Sequence, residues 1–314
     1  MKWRYRFLEI SSSPDMHDDV YLSALRSFCA AYEQGGFTEG ARKLGLTPQS
    51  VSRAVARLEK QLGAPLFVRD TRGIEITPLG QTYYEGCSTA LRLLDEAESS
   101  VRSAVTGTPS GVVRISVPTT IGRTLFLRHS GALAEAFPDV ELEVEVSNRL
   151  IDFVKSGYDL AIRTGPPPEG SLIARKLGDF RLSTFASPSY LQRHGTPQRP
   201  NDLDDHRCAT FLMPRTGKPL PWIFDHPSLE VTPSSWARIT DDVTGLVSFA
   251  LGGGGLAQMY EFLVEDHFER QELVEVLKPF GGRSRSFSLL YPRPARERPA
   301  VAGVIEFILE RMRP

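Results

Sequence analysis

Cysteine is scarce and badly placed for cross-linking. Cys29, Cys87 and Cys208 are odd in number and far apart, which argues against a disulfide framework and suits a reducing cytosol. Each is expected as a small buried hydrophobe; a redox switch would need a resolving partner, and the sequence supplies none. The six histidines are scattered and make no metal-ligand spacing with the cysteines. No apolar run approaches the roughly 18 residues a membrane span needs. Excess charge is also missing: 37 basic against 38 acidic residues leave a formal net charge of -1, so any nucleic-acid binding requires a local patch. The opening MKWRYRFLEISSSPD has neither a continuous apolar core nor a small-residue cleavage site, so it does not read as a signal peptide. Residues 1–17 are expected to be an extension ahead of the first domain, and the protein is expected in the cytoplasm. There is no G-x-S-x-G, no nucleotide-binding glycine loop with its acidic partner and no His/Glu metal cluster. The pairs Asp18-Asp19, Asp204-Asp205 and Asp241-Asp242 read as caps of loops and helix starts. An enzyme is disfavoured, and no cofactor or metal is expected.

What is present separates by pattern. Residues 18–76 are helical and rich in local charge, and residues 77–105 form one long helical pattern. TGTPSG, residues 106–111, is a linker by composition. From 112 to 314, short β-branched runs alternate with helical ones, the mark of an α/β domain.

In the first segment Val20, Leu22, Leu25, Phe28, Cys29 and Tyr32 recur at helical spacing. Gly35-Gly36 ends that helix, and Thr38 is a candidate N-cap for the next, which buries Ala41 and Leu44. Gly45 closes it, and Leu46 is expected to plug the turn. Thr47-Pro48 then caps and opens a third helix. Val51, Val55, Leu58 and Leu62 share one face of it; Gln49, Arg53 and Arg57 share another, flanked by Ser50 and Ser52. Two helices joined by a tight glycine-containing turn make a helix-turn-helix. Arg and Gln can pair two-pronged with base edges, and Ser reaches phosphate or base. Between Thr38 and Gly73 stand seven basic residues, among them Arg53, Arg57, Arg69 and Arg72, against three acids. That local excess on a near-neutral chain is an electrostatic footprint for DNA; the plain alternative is a solvated helix face. LFVRDTRGIEITP, from Leu66, reads as a hairpin, a wing whose Arg69 and Arg72 reach phosphate or the minor groove.

Here the residues carry a resemblance. F-x-x-A-Y-E-x-G-x-F, then SVSRAVARLEKQLGAPLFVRD and ITPLG, match almost continuously from Phe28 to Gly80. The stretch resembles the DNA-binding segment of LysR-type transcriptional regulators. The expected fold is therefore multidomain: a winged helix-turn-helix, a long linker helix and a two-lobed α/β effector domain. That last domain resembles type 2 periplasmic solute-binding proteins. The resemblance implies double-stranded DNA and a small-molecule effector as partners, with RNA polymerase a further candidate. It also implies a homodimer through the linker helix and a homotetramer.

Residues Tyr83, Cys87, Ala90, Leu94, Ala97 and Val101 follow one another at spacings of four and three, a heptad seam expected to pair two subunits. The alternative is packing against the chain's own C-terminal domain. Beyond the linker, Val112–Pro118, VELEVEVSN and DLAIRTG read as strands. Lobe I is expected over about 112–180 and 286–314, and lobe II over about 181–285. Ligands in such folds sit at the carboxyl ends of strands, between lobes. That singles out Thr119, Thr120, Ser147, Asn148, Arg163 and Thr164 from one lobe, and Phe211, Asp241, Gly253 and Gly254 from the other. The hydroxyls and free N–H groups at Thr119-Thr120 suit an anion. Each has a structural alternative: a helix cap at Thr119 or Thr120, an internal carboxylate on Arg163, a tight turn at Gly252–Gly255. Gln258-Met259 stands where the family often has Leu-Pro. A solute receptor without DNA regulation is the rival reading.

Overall fold

A computed structural model describes residues 19–70, 73–149, 153, 157–165, 170, 172–214, 216–225, 229–281 and 284–312. The N-terminal extension, most of residues 150–157 between VELEVEVSN and DLAIRTG, and the wing tip at Thr71-Arg72 lie outside them. The chain divides into two compact units, Met1–Asp95 and Glu96–Pro314.

The first unit opens with α1 (Asp19–Glu33), α2 (Phe37–Leu44) and α3 (Pro48–Leu62). A hairpin of β1 (Phe67–Asp70) and β2 (Gly73–Ile76) follows, then the first half of α4 (Pro78–Thr106). Phe28, Val51, Val55, Leu58, Leu66 and Phe67 form the core, with the Phe28 and Phe67 ring centroids 5.4 Å apart. α1 and α2 pack so closely that a Cβ on Gly40 would stand 2.8 Å from the Ala31 nitrogen. Only glycine fits there.

Three expectations need correction. α2 begins at Phe37 with Gly36 at its N-cap and no side-chain cap bond, so Thr38 lies in the first turn and is not the cap. Phe37 starts the helix early because its ring packs edge-on against Phe67, at 5.7 Å. Leu46 does not plug the turn; it is 45% exposed. The main chain closes the turn instead, with Gly45 at φ 67 and the Leu46 N–H donating to Ala41 O at 2.9 Å. Leu22 and Leu62 also sit outside the core.

The second unit contains the end of α4 and a nine-stranded mixed sheet. β3 (Gly111–Val117) leads into α5 (Thr119–Ile121), which continues through a π turn and a 3-10 turn into α6 (Ser130–Ala136). Then come β4 (Val140–Val146), β5 (Leu160–Thr164), the 15-residue β6 (Leu172–Ala186) and α7 (Pro188–His194). β7 (Cys208–Phe211), β8 (Trp222–Ile223), β9 (Glu230–Val231), β10 (Ser235–Ile239) and α8 (Thr244–Leu251) follow. The chain ends with β11 (Leu256–Tyr260), α9 (Glu265–Glu269), β12 (Val274–Val276), β13 (Ser284–Pro292) and α10 (Pro299–Arg311).

The strand order is β10-β7-β11-β6-β13-β5-β3-β4, with β12 also on β6. β3, β4 and β5 are parallel, as are β7, β10 and β11; β6 and β13 run antiparallel to their neighbours. β6 pairs with β13 as far as Arg181, and with β11 and β12 from Leu182 on. Two lobes with separate cores are therefore joined through one long strand, β6. β4 is an edge strand, which is why its glutamates alternate with partly buried Val and Leu.

The segment 106–111 is pinned rather than free. The Ser110 N–H donates to Ser103 Oγ at 3.0 Å and Thr108 Oγ1 to Asp139 at 3.2 Å. Deeper in, Arg298 donates to Glu96 Oε1 at 3.1 Å, to Asp159 Oδ1 and to Val112 O. The Arg114 N–H satisfies the other Asp159 oxygen at 2.8 Å. This buried lock fixes the last turns of α4 to the sheet.

Candidate DNA-binding face and ligand cleft

α3 is built to hold its first turn open to solvent. Thr47 is extended at φ -86, ψ 148 and its Oγ1 accepts the Ser50 N–H at 3.2 Å; Pro48 follows at N1. Val51, Ala54, Val55 and Leu58 are buried, which turns Gln49, Arg53 and Arg57 outward. Thr38 from α2 joins Thr47, Gln49, Ser52 and Arg53 around one shallow depression. Ser50 is less free than expected, because its hydroxyl lies 2.9 Å from Thr47 Oγ1.

The internal pairing sharpens the charge. Lys43 is bound to Glu33 at 2.8 Å and Arg42 to Glu39. Glu59 accepts the Leu66 and Phe67 N–H groups at 2.8 and 3.1 Å, tying the hairpin to α3. Arg53 and Arg57 form no ion pair among the described residues. The Arg69 side chain and all of Arg72 lie outside the described residues, so the wing's cations have no placement here.

The expected seam on α4 is corrected at its start. Tyr83 shares a hydrogen bond with Tyr21 at 2.8 Å and Cys87 is buried, both within the first unit's core. Burial pushes both groups' pKa values up. Ala90, Leu94, Ala97 and Val101 are exposed, beside Leu93 and Val105. In the second unit it is Glu96, Ser99 and Ser103 that face the sheet, not the apolar stripe.

A cavity of about 910 Å³ lies between the two lobes. Thr120, Asn148, Arg163, Thr164 and Phe211 line it; Thr119, Ser147, Asp241, Gly253 and Gly254 do not. Arg163 is held by oxygens rather than by a carboxylate. It donates to Ser116 O, Ser116 Oγ, Ile162 O and Arg149 O at 2.7–3.0 Å. Glu145 is nearby but takes the Ser116 hydroxyl at 3.0 Å. Burial lowers the Arg163 pKa, and its Nε has no partner among the described residues.

The start of α5 is already occupied. The Thr119 N–H donates to Asn148 Oδ1 at 3.2 Å, and Asn148 Nδ2 donates to Thr119 Oγ1 at 2.9 Å and to Asp241 O. Arg123 pairs with Asp242 at 3.0 Å. These contacts make a bridge from lobe to lobe at the cleft's edge. Asp241, at φ 60, is one of the few residues other than glycine that tolerate this conformation. Ser147 serves its own turn, accepting the Arg149 N–H at 3.2 Å. The glycine turn faces away from the cavity. A Cβ on Gly253 would meet Arg193 and Ser189 of α7, and one on Gly254 the Phe249 ring at 2.5 Å. The left-handed backbone at Gly253, φ 71, and the Phe249 ring against Gly254 require these glycines, not ligand approach.

Sequence reasoning missed Lys176, Trp222, Gln258 and Arg285, which all line the cavity. Gln258 carried a signal in its departure from the family pattern. It is buried, its Oε1 accepting the Ile223 N–H at 2.8 Å and its Nε2 donating to Ile223 O at 2.9 Å. The side chain thus imitates a strand partner for β8 and holds Trp222 at the cleft. Arg285 donates to Pro221 O at 3.3 Å, and Lys176 pairs with Asp179 at 2.6 Å.

Among the described residues no helix is long and apolar enough to cross a membrane, and no group of three acidic, His or Cys side chains suits a metal.

Known proteins give the same division. Residues 22–81 match the bacterial regulatory helix-turn-helix protein of the lysR family, and residues 106–313 the LysR substrate binding domain. An HTH-type transcriptional regulator of Xanthomonas campestris is 32% identical over 91% of this chain and 83% of its own length. An HTH-type transcriptional repressor of Pseudomonas aeruginosa is 29% identical over 92% and 91%. Among solved structures, CrgA of Neisseria meningitidis, a LysR-type transcriptional regulator, superposes with a TM-score of 0.60 at 27% identity. It covers 92% of this chain and 98% of its own. AphB, a Vibrio cholerae virulence activator, gives 0.62 at 25% with the same coverage. A helix-turn-helix with an outward polar face and a two-lobed ligand-binding domain thus meet in one chain, which belongs to the LysR family of DNA-binding transcriptional regulators.

Proposed function

We propose that α3 reads its operator through Gln49, Ser52, Arg53 and Arg57, that a small anionic metabolite enters the inter-lobe cleft, and that its binding resets how the protein sits on DNA. The observation that carries this reading is Arg53 and Arg57, without ion pairs among the described residues, turned outward by a fully buried opposite face. Thr38 and Thr47 flank that face as phosphate contacts, and Arg69 and Arg72 of the wing extend it. The exposed Ala90-Leu94-Ala97-Val101 stripe of α4 supports a homodimer, and the assembly we favour is a tetramer of two such dimers. RNA polymerase is the further partner. The working compartment is the cytoplasm.

The ligand must prefer one assembly over the other; a coupling of about 1–3 kcal/mol is typical. Arg53→Ala tests the docking. It should relax sequence preference at one base position by about 1–3 kcal/mol, whereas Arg72→Ala should weaken all sites alike and reduce the salt dependence. Titrations on matched and mismatched DNA at two salt concentrations separate these; reversed roles would overturn the docking.

A further inference from the structure

We propose that the ligand of this cleft is an amphipathic monoanion: one carboxylate on an aromatic or similarly bulky apolar body, with its charge at Arg285 and not at the start of α5. This rests on the reading of the cleft as the effector site and narrows its chemistry.

The charges decide the head group. Arg163, Lys176 and Arg285 are the lining cations, and Glu230 is the lining carboxylate. Lys176 is already neutralised by Asp179 at 2.6 Å. Neither arginine forms an ion pair with a carboxylate among the described residues. Arg163 spends its terminal nitrogens on four protein oxygens, and its remaining Nε is buried. Among the described residues Arg285 donates only to Pro221 O, at a long 3.3 Å, so most of its guanidinium remains available to a ligand. Arg163 pairs across the strands with Ser288, three residues along β13 from Arg285; it adds a second positive charge and disfavours a cation. With Arg163 committed to protein oxygens, Arg285 is the lining guanidinium that still has donors to offer, and one guanidinium suits one carboxylate. A dianion or phosphate would need further donors, and the Thr119 N–H that might supply one is bound to Asn148.

The walls decide the body. Phe211, Leu220, Trp222, Leu246, Leu182 and Phe287 face the cavity. Thr120, Thr164 and Ser284 also line the cavity, but a sugar or polyol would still set part of its hydroxyls against these apolar side chains, a desolvation loss. The Gln258 amide is no substitute partner, because Ile223 takes both its ends. At about 910 Å³ the cavity is far larger than acetate or an amino acid would fill.

The test is calorimetric titration of the full-length protein with 2-naphthoate, 2-naphthamide, succinate and glucose 6-phosphate, with tryptophan fluorescence in parallel. The account expects naphthoate to bind at least about tenfold tighter than its neutral amide. Arg285→Gln should lower naphthoate affinity about 10- to 100-fold and erase the acid–amide difference, while Arg285→Lys keeps part of it. Naphthoate should quench fluorescence in the wild type and lose that effect in Trp222→Phe. Equal binding of acid and amide, or an unaffected Arg285→Gln protein that still binds DNA, overturns the head-group assignment. Tighter binding of succinate or glucose 6-phosphate overturns the ligand class and leaves the cleft as sensor. No response to any probe, in protein that binds DNA, removes the sensor reading and the proposal together.

Discussion

Replacing Arg298 with Ala removes the keystone of the lock between α4 and the sheet. Its side chain is 15% exposed, against 16% for Glu96 and 5% for Asp159. The substitution takes the cation from Glu96 and from Asp159, which keeps the Arg114 N–H, and takes the donor from Val112 O. Breaking a buried pair from one side costs about 3–5 kcal/mol, far above the 0–1 of a surface pair. For a unit of this size each kcal/mol lowers Tm by about 2–4 °C, so the effector unit should melt about 6–20 °C earlier. The deficit should depend on pH. Burial already holds the Asp159 carboxyl above its usual value, with Arg298 pulling the other way. A raised folded pKa means stability is full below the unfolded value and is lost as pH rises through the folded one. Removing the cation raises the folded value further, so the variant's deficit should be largest at neutral pH and narrow as the pH falls. Calorimetry of both proteins at pH 7.5 and 5.0 measures this. A loss under about 1 kcal/mol, or a deficit that widens in acid, would refute the reasoning.

If α4 pairs two chains as proposed, Leu94→Glu combined with Val101→Glu should give monomer by analytical ultracentrifugation and leave the melting of each unit within about 0.5 kcal/mol, because both side chains are exposed in one chain. Unchanged mass would remove the stripe from the interface. Gln258→Leu should cost about 2 kcal/mol by denaturant titration, since it leaves the Ile223 N–H and C=O buried without partners; a neutral result would mean that β8 finds other bonds. Burial pushes the Cys29 and Cys208 thiols up to about 12. Native protein at pH 8 should therefore react with a thiol reagent orders of magnitude more slowly than denatured protein, and rapid labelling would contradict the buried placement.

The helix-turn-helix was legible because it is a local object. Gly45, Thr47-Pro48 and the buried face of α3 act within a few residues of one another, and spacing alone places them. The same logic misled at Leu46 and Thr38, where a main-chain bond and an aromatic contact across the domain decided the outcome. On α4, heptad spacing could not tell a partner's surface from the domain's own core, so Tyr83 and Cys87 were assigned to the wrong neighbour. The mixed α/β sheet domain after the long helix followed from the order of elements. The cleft was half legible: residues at strand ends, such as Arg163 and Thr164, were found. Arg285, Trp222 and Gln258 were not, since they meet there only through the antiparallel pairing of β6, β11 and β13. Gly253 and Gly254 showed the converse, a conspicuous motif whose causes are a left-handed turn and the Phe249 ring.

The most direct measurement is footprinting of the purified protein on the DNA fragments it retains from a genomic pool. The account predicts protection of a dyad whose half-sites lie about one helical turn, 34–36 Å, or a multiple apart, with protection weakened and preference relaxed at one position of each half-site in Arg53→Ala. Fragments retained without common sequence, or a single unsymmetrical contact unchanged by that substitution, would contradict a paired recognition helix as the reader of DNA.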